Sequence, residues 1–511
     1  MSDDMQQQLA LAEPKWSPQQ EAVISEFSAG GQHFVVVARA GSGKTTILLK
    51  GMSVAPEGKR LVCAFSKIIA DELNMRVQRD SLGNIEARTL HAIGYQFVRQ
   101  FWQGVRPSFN SERADKLAEA VCGAKAPDAI KKIVSKLHTK GREMAPHAEK
   151  LGDLVDIMAQ FELEPDAEWE GRGFDAAYVE QKALDCMEMA AAHKPLDGTI
   201  DGSDMIFLPI RNGWLHPIWD VVAVDEAQDM TTAQLEIAQG CCSGRIVVIG
   251  DPCQAIFGFR GADSNSLYRL KAELNAKELP LTVTYRCGKR IVAEAQRYVP
   301  DFTAGDDNPE GAVEHMRMSQ LMPAVEPGDF VLSRINAPLV SIAMSLLKRG
   351  TRTVIAGRDV GKGLQGLITK FKAKSIPDLM AKISTWEQRE TDRVIKRYQL
   401  RPAVLEQRTE AIRDQADMLT SLAEGAGSVY DVVNNITTLF ADKSAGAVVT
   451  CSSVHRAKGL EANRVFVLAD TLRADKQEEV NITYVAITRA KKVLTYVAAE
   501  DKPYADKNEG W

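Results

Sequence analysis

The sequence predicts an α/β protein built on parallel sheets, and three segments carry that prediction. Each is a short, apolar, β-branched run that stops at glycine or at acidic residues. They are "VVVARAGSGKTTILL" (Val35–Leu49), "WDVVAVDEAQD" (Trp219–Asp229) and "RIVVIGDPCQAIFGFRGA" (Arg245–Ala262). Continuous apolar runs of this length suit strands buried on both faces, as in a parallel sheet covered by helices. The rest of the chain is ordinary for a globular protein. It has 511 residues, 45% hydrophobic and 26% charged, enough for two to four domains.

In the first segment Val35–Val37 forms the strand and Ile47–Leu49 opens a helix. Between them lies Ala38-x-x-x-x-Gly43-Lys44-Thr45, a phosphate loop whose first position is alanine in place of glycine. Gly41 and Gly43 allow backbone N–H groups to turn inward around oxyanions. Lys44 neutralises β and γ phosphates, the Thr45 hydroxyl can ligate Mg²⁺, and the helix N-terminus favours negative charge. Ala40, Gly41, Ser42, Gly43, Lys44, Thr45 and Thr46 are therefore the candidate nucleotide-binding residues, with ATP and Mg²⁺ the expected cofactors.

The second strand ends in Asp225–Glu226. An Asp-Glu pair is usually a solvated turn, but here it closes a buried strand. Asp225 suits the metal, directly or through water, and Glu226 can orient or deprotonate an attacking water. The third strand ends at Gly250–Asp251 and is followed by Gln254. An amide there can sense a γ-phosphate, although taken alone Gln254 reads as a surface polar residue.

These segments, in this order, resemble the UvrD/Rep-type helicases of superfamily 1, and further stretches extend the resemblance along almost the whole chain. "WSPQQEAV" looks like the family's Q motif, which implies that Gln20 reads adenine; Trp16 and Ser17 replace the usual Leu-Asn. "CAFSKIIADELNMRV" resembles motif Ia, with Phe65 stacking on a base and Ser66 and Lys67 near phosphates. "ARTLHAIGYQF" resembles motif Ib, with Thr89 and His91 on the DNA side. "DGSDMIFLPI" is similar to a short segment that precedes the second strand in these enzymes. "DEAQD" is the family form of the metal-binding motif. "GDPCQAIFGFRGA" resembles motif III, with Gln254 as phosphate sensor and Phe257 and Phe259 where the family uses Tyr and Trp. Being two residues apart, only one of these is expected to face DNA. "LTVTYRC" resembles motif IV, which implies Tyr285 stacking on adenine and Arg286 reaching the γ-phosphate. "VTCSSVHRAKGLEANRVFVL" is close to motif V, with Glu461 at the ribose and His455 coupling nucleotide to DNA. "YVAITRAKK" matches motif VI, with Arg489 as a second arginine finger.

The resemblance implies two RecA-like P-loop lobes with parallel sheets, each interrupted by a mainly helical insertion. The expected divisions are residues 1–100 and 200–279 for lobe 1A, 101–199 for insertion 1B, 280–358 and 445–511 for lobe 2A, and 359–444 for a shortened 2B-like insertion. "SERADKLAEAVCGA" and "PDAIKKIVSKLHTK" show helical spacing inside 1B, and "DFVLSRI", "GAVVTCSS" and "NRVFVLAD" read as strands of 2A. Residues 359–444 read as a charged helical hairpin with a break near Pro402. Its basic run (Arg393, Lys396, Arg397) is more often a solvated face than a duplex contact. Arginines from a second lobe complete a phosphate site only when that lobe closes, so ATP would act as glue between lobes.

The expected activity is ATP-dependent DNA unwinding by translocation on single strands, 3′ to 5′ by the form of motif III. A translocase that strips proteins from DNA and unwinds weakly shares every motif. A nucleotide-gated DNA-binding scaffold is disfavoured by the intact Lys44, Asp225, Glu226, Arg286 and Arg489. Expected partners are single-stranded DNA and single-strand/duplex junctions. The net charge of −5 excludes a basic footprint over the whole chain but not a local basic channel. No run of 18 apolar residues predicts a membrane span, and the acidic start "MSDDMQQQLALAEP" is not a secretory signal. Eight cysteines lie without C-x-x-C spacing. The expected location is cytoplasmic, on the nucleoid in a bacterium or in the host cytoplasm for a virus. No nuclease is expected after motif VI.

Overall fold

The computed structural model describes residues 15–103, 105–161, 163–165, 167–192, 198–258, 266–398, 402–440, 447–473 and 476–500. The chain divides into two compact units. The first comprises residues 1–165, 169–252 and 258–282; the second comprises 166–168, 253–257 and 283–511.

The first unit begins with α1 (Pro18–Ala29), then β1 (Phe34–Ala38), α2 (Lys44–Val54), β2 (Arg60–Ala64), α3 (Lys67–Arg79), β3 (Ile85–Thr89) and α4 (Leu90–Phe101). Two short strands, β4 (Ser108–Phe109) and β5 (Thr199–Ile200), pair in parallel around the helical insertion. The insertion holds α5 (Arg113–Cys122), α6 (Asp128–Met144), α7 (Val155–Phe161), α8 (Ala167–Glu170) and α9 (Ala176–Ala191). The chain then returns through α10 (Gly202–Arg211), β6 (Trp219–Val224), α11 (Thr232–Gly240), β7 (Cys242–Gly250), α12 (Ser266–Glu273) and β8 (Lys277–Leu281).

Six of these strands form one parallel sheet in the order β3-β2-β6-β7-β1-β8. The β1 residues explain why it is central. Val35 and Val37 point into a core with α4 and α11, while Phe34, Val36 and Ala38 point into another with α1, α2 and α3. A strand apolar on both faces has nowhere to sit but between two helical layers, each buried valine contributing about 1.5–3 kcal/mol. In an open sheet of this kind the loops at the carboxyl ends of the strands form the binding edge. That edge carries the phosphate loop after β1, Phe65 after β2, Thr89 at the end of β3, Asp225 after β6 and Asp251 after β7.

The second unit carries β9 (Val283–Thr284), α13 (Lys289–Ala295), β10 (Thr303–Ala304), β11 (Ala312–Arg317), α14 (Met318–Ala324), β12 (Phe330–Ser333), α15 (Ala337–Lys348) and β13 (Thr353–Ile355). Four helices follow: α16 (Arg358–Phe371), α17 (Ile376–Tyr398), α18 (Pro402–Ala423) and α19 (Val429–Leu439). It closes with β14 (Val449–Ser453), α20 (Val454–Ala457), β15 (Ala462–Leu468), α21 (Gln477–Ile487) and β16 (Ala490–Ala498). Its parallel sheet runs β11-β16-β15-β12-β14-β13. The fold is thus α/β, with two RecA-like lobes on parallel sheets, each interrupted by helices.

The insertion after β13 is more than a hairpin. Leu379 and Ile383 of α17 and Leu419 and Leu422 of α18 belong to the same core as Val331 of β12 and Val340 and Ala343 of α15. Asp414 also caps α15, accepting from the backbone N–H of Asn336 and Ala337 at 2.9 and 2.7 Å. Pro402 opens α18, where its missing N–H costs nothing. Among the described residues no helix is long and apolar enough to cross a membrane. The eight cysteines are all free.

Candidate nucleotide and nucleic-acid sites

The phosphate loop owes its shape to two glycines in the left-handed region, Gly41 at φ +70° and Gly43 at φ +83°. Gly43 is the residue before α2, and no side chain caps that helix. Its first N–H groups are therefore directed at the space a phosphate would take. The Ser42 hydroxyl is buried beside them without a hydrogen-bond partner. A buried orphan of this kind, at an uncapped helix start, fits an anionic ligand.

Lys44 is only 9% exposed. Its Nζ lies 3.0 Å from Glu226 Oε2. Burial opposes its charge, but Glu226, Asp251 and Asp225 outweigh that and raise its pKa. Thr45 Oγ1 donates to Asp225 Oδ2 at 3.4 Å. Burial, and then the neighbouring Glu226 charge, push the Asp225 carboxyl up to about 6. A hydroxyl and a buried carboxylate side by side form two ligands of a hard-cation site. Among the described residues no cluster of three or more His, Cys, Asp or Glu could hold a metal alone.

Gln20 touches the same loop. Its Nε2 donates to the Ser42 carbonyl at 3.2 Å, and its Oε1 accepts from Ser17 N at 3.1 Å in a capping box at the start of α1. The amide thus fixes the helix start to the phosphate loop. Ala40 is buried, and the exposed Thr46 accepts from Arg76 at 3.2 Å.

Along the same sheet edge Phe65 is 41% exposed, and Lys67 is exposed beside it. Ser66 and Thr89 use their hydroxyls as N-caps of α3 and α4, accepting from Ile69 N and Ala92 N. His91, two residues after Thr89, is held below its usual pKa by burial, with Glu143 opposing. The two strands behind these groups are joined at a telling point: the Asp225 N–H donates to the Cys63 carbonyl at 3.1 Å, two residues before Phe65.

The second unit gathers another set. Arg286 Nε lies 2.6 Å from Glu461 Oε2, and Lys491 pairs with the same carboxylate. Burial opposes the Glu461 charge, but Lys491 and Arg286 hold its carboxyl below the usual range. Arg489 is 1% exposed. Its guanidinium donates to the carbonyls of Val485 and Leu460 at 2.9 and 3.1 Å and to Thr488 Oγ1 at 3.1 Å. Tyr285 is half exposed beside Gly305. Gln254 is buried, and its backbone carbonyl accepts from Lys458 Nζ at 2.6 Å. Lys458 also lies 5.0 Å from the Phe257 ring centroid, and His455 stands 6.5 Å from that ring. Phe259 lies outside the described residues.

Comparison with known proteins identifies the family of the chain. The profile of the UvrD/REP helicase N-terminal domain matches residues 16–275, and that of the UvrD-like helicase C-terminal domain matches residues 448–497. The chain belongs to the UvrD/Rep helicase family. F-box DNA helicase 1 of Gallus gallus is 23% identical over 95% of this chain and 49% of its own length. ATP-dependent DNA helicase UvrD2 of Mycobacterium tuberculosis is 24% identical over 89% of this chain and 75% of its own. ATP-dependent DNA helicase Rep of Escherichia coli is 27% identical over 54% of this chain and 42% of its own. The chain spans about half the length of the F-box relatives it matches.

For this UvrD/Rep family member, sequence reasoning missed the groups that tie the site together. Arg39, inside the phosphate loop, pairs through NH1 with Asp251 Oδ1 at 3.0 Å, and both are buried. Gln228, the glutamine of "DEAQD", reaches Glu226. Asn481 donates to the Ala255 carbonyl at 3.0 Å and steadies the segment that carries Gln254. An arginine within a glycine loop was the one available signal, since so short a loop buries a guanidinium only against an acid.

Proposed function

We propose that this protein is an ATP-dependent DNA helicase that moves along single-stranded DNA, 3′ to 5′, and couples ATP hydrolysis to strand separation. The observation that carries this reading is the pairing of Lys44 with Glu226 and of Thr45 with Asp225 at the carboxyl edge of a parallel sheet. It is supported by membership of a helicase family and by helicases among its relatives.

In this reading the phosphate loop holds the β and γ phosphates of ATP, and Lys44 exchanges Glu226 for them. Mg²⁺, held by Thr45 and Asp225, would supply charge neutralisation at the phosphate oxygens. Glu226 orients the attacking water and takes its proton. Arg286 and Arg489 neutralise charge on the γ-phosphate, Glu461 takes the ribose, and Tyr285 stacks on adenine. Gln20 stays on the phosphate loop and meets the base with its remaining N–H. Gln254, Phe257 and His455 report the state of the phosphate to the bound strand. Phe65, with Ser66, Lys67, Thr89 and His91 around it, offers an unpaired base a flat surface beside hydrogen-bonding groups.

The test is unwinding of duplexes bearing 3′ or 5′ overhangs, with and without ATP. ATP-dependent displacement on 3′ overhangs alone is the expected result. Displacement of a bound protein without strand separation would point to a stripping translocase instead. ATPase activity unmoved by any polynucleotide would sink the motor reading.

A further inference from the structure

The geometry points to Gln228 as the residue that aims Glu226, a positioning residue for hydrolysis; this inference rests on the reading of Glu226 as the water-orienting base. Gln228 is fully buried. Its Nε2 donates to Glu226 Oε2 at 2.6 Å, and its Oε1 accepts from the Asp251 N–H at 3.1 Å. The second bond fixes the sense of the first. A backbone N–H can face only the carbonyl end of the amide, so the NH₂ end must face Glu226.

The surroundings are shaped for this amide. A Cβ on Gly250 would stand 2.5 Å from Gln228 Oε1, so the glycine at the end of β7 leaves the space the amide occupies. Glu226 itself has φ +50° and ψ +44°, a left-handed conformation that a non-glycine residue adopts at a cost of about 1–2 kcal/mol. Such a cost persists where neighbouring groups hold the residue in place.

The contacts close a circuit. Arg39 pairs with Asp251, the Asp251 N–H meets Gln228, Gln228 meets Glu226, and Glu226 meets Lys44. Both ends of the circuit lie in the phosphate loop. Lys44 and Gln228 share one oxygen, Glu226 Oε2. When the lysine is drawn onto phosphates, the Gln228 hydrogen bond keeps that oxygen in place and so holds the direction of the carboxylate that receives the proton of the water. Gln228 itself touches neither nucleotide nor water in this scheme.

The experiment uses the full chain and DNA-stimulated ATP hydrolysis. Gln228→Glu keeps the size of the side chain and an acceptor for Asp251 N, but removes the N–H that Glu226 receives. Gln228→Met removes both. Each is expected to lower kcat by about tenfold to a hundredfold. KM for ATP and the affinity for a fluorescent ATP analogue should stay within about twofold, because the contact acts on the transition state alone. Combining Gln228→Glu with Glu226→Gln should be no slower than Glu226→Gln by itself.

Unchanged kcat in Gln228→Glu would overturn the inference. So would a rise in KM matching the fall in kcat, or losses that multiply in the double variant. If Gln228→Met melts too early to assay, the isosteric Gln228→Glu decides. Normal turnover of Glu226→Gln would sink the reading of Glu226 itself. A dead Glu226→Gln beside a normal Gln228→Glu would sink the role of Gln228 alone.

Discussion

Lys44 shows how little of a residue's role lies in its own chemistry. Its ammonium is buried, and it keeps its proton because three carboxylates surround it. Lys44→Ala removes the charge that offsets both Asp225 and Glu226, and with it the counter-charge for the phosphates. ATP hydrolysis should fall by more than about a hundredfold, measured as phosphate release at saturating DNA. Lys44 with Thr45, and Asp225 with Glu226, were legible as candidates because each pair lies in one local run that ends a strand; that the two runs meet is set by strand order. The pairing of Arg39 with Asp251 was not legible, because it spans 212 residues and follows from strand order alone. The caps made by the Ser66 and Thr89 hydroxyls are by contrast local, three residues along the chain in each case, and a Ser or Thr just before a helical run is their sequence signal.

At the scale of elements, α6 and α10 are joined by a buried network. Arg142 pairs with Asp201 and Asp204 at 2.8 and 2.6 Å, and Arg113 pairs with Asp204 at 2.6 Å. Asp201 and Asp204 are also the two ends of the capping box that starts α10, so the helix start and the ion pairs share oxygens. His138 of α6 lies in this cluster. Its Nε2–H donates to the Ala114 carbonyl at 3.0 Å, and its Nδ1 has no partner. Burial, then the nearby Arg142 charge, lower its pKa from 6.5 to about 3. Unfolding below pH 6.5 therefore takes up a proton here. The stability is complete above that pH and is lost as pH falls toward the folded value, by at most about 1.4 kcal/mol per pH unit. His138→Gln should flatten the fall in unfolding free energy between pH 7 and pH 5, measured by denaturant titration. The helical spacing of α5 and α6 was visible in sequence, yet the ion-pair network was not. Arg113, Arg142, Asp201 and Asp204 come together only when three helices pack.

For the molecule as a whole, the second unit is a lobe whose inserted helices are built into its core. The sequence suggested a charged hairpin, because solvated faces dominate α17 and α18. The thin apolar stripes that reach β12 and α15 are diluted by those charges. Leu419→Ala should cost about 2–5 kcal/mol, as for any buried leucine, and should lower the melting of the entire unit in calorimetry. A separate early transition for the inserted helices would contradict the shared core. The first unit offers a different lesson. The carbonyl of Cys63 receives the amide of Asp225 where β2 meets β6, just before the chain turns out to Phe65. In the function proposed above, the metal-binding carboxylate and the base-stacking ring are neighbours across one peptide-to-peptide link. On that proposal, a change at the carboxylate needs no long path to reach a stacked base.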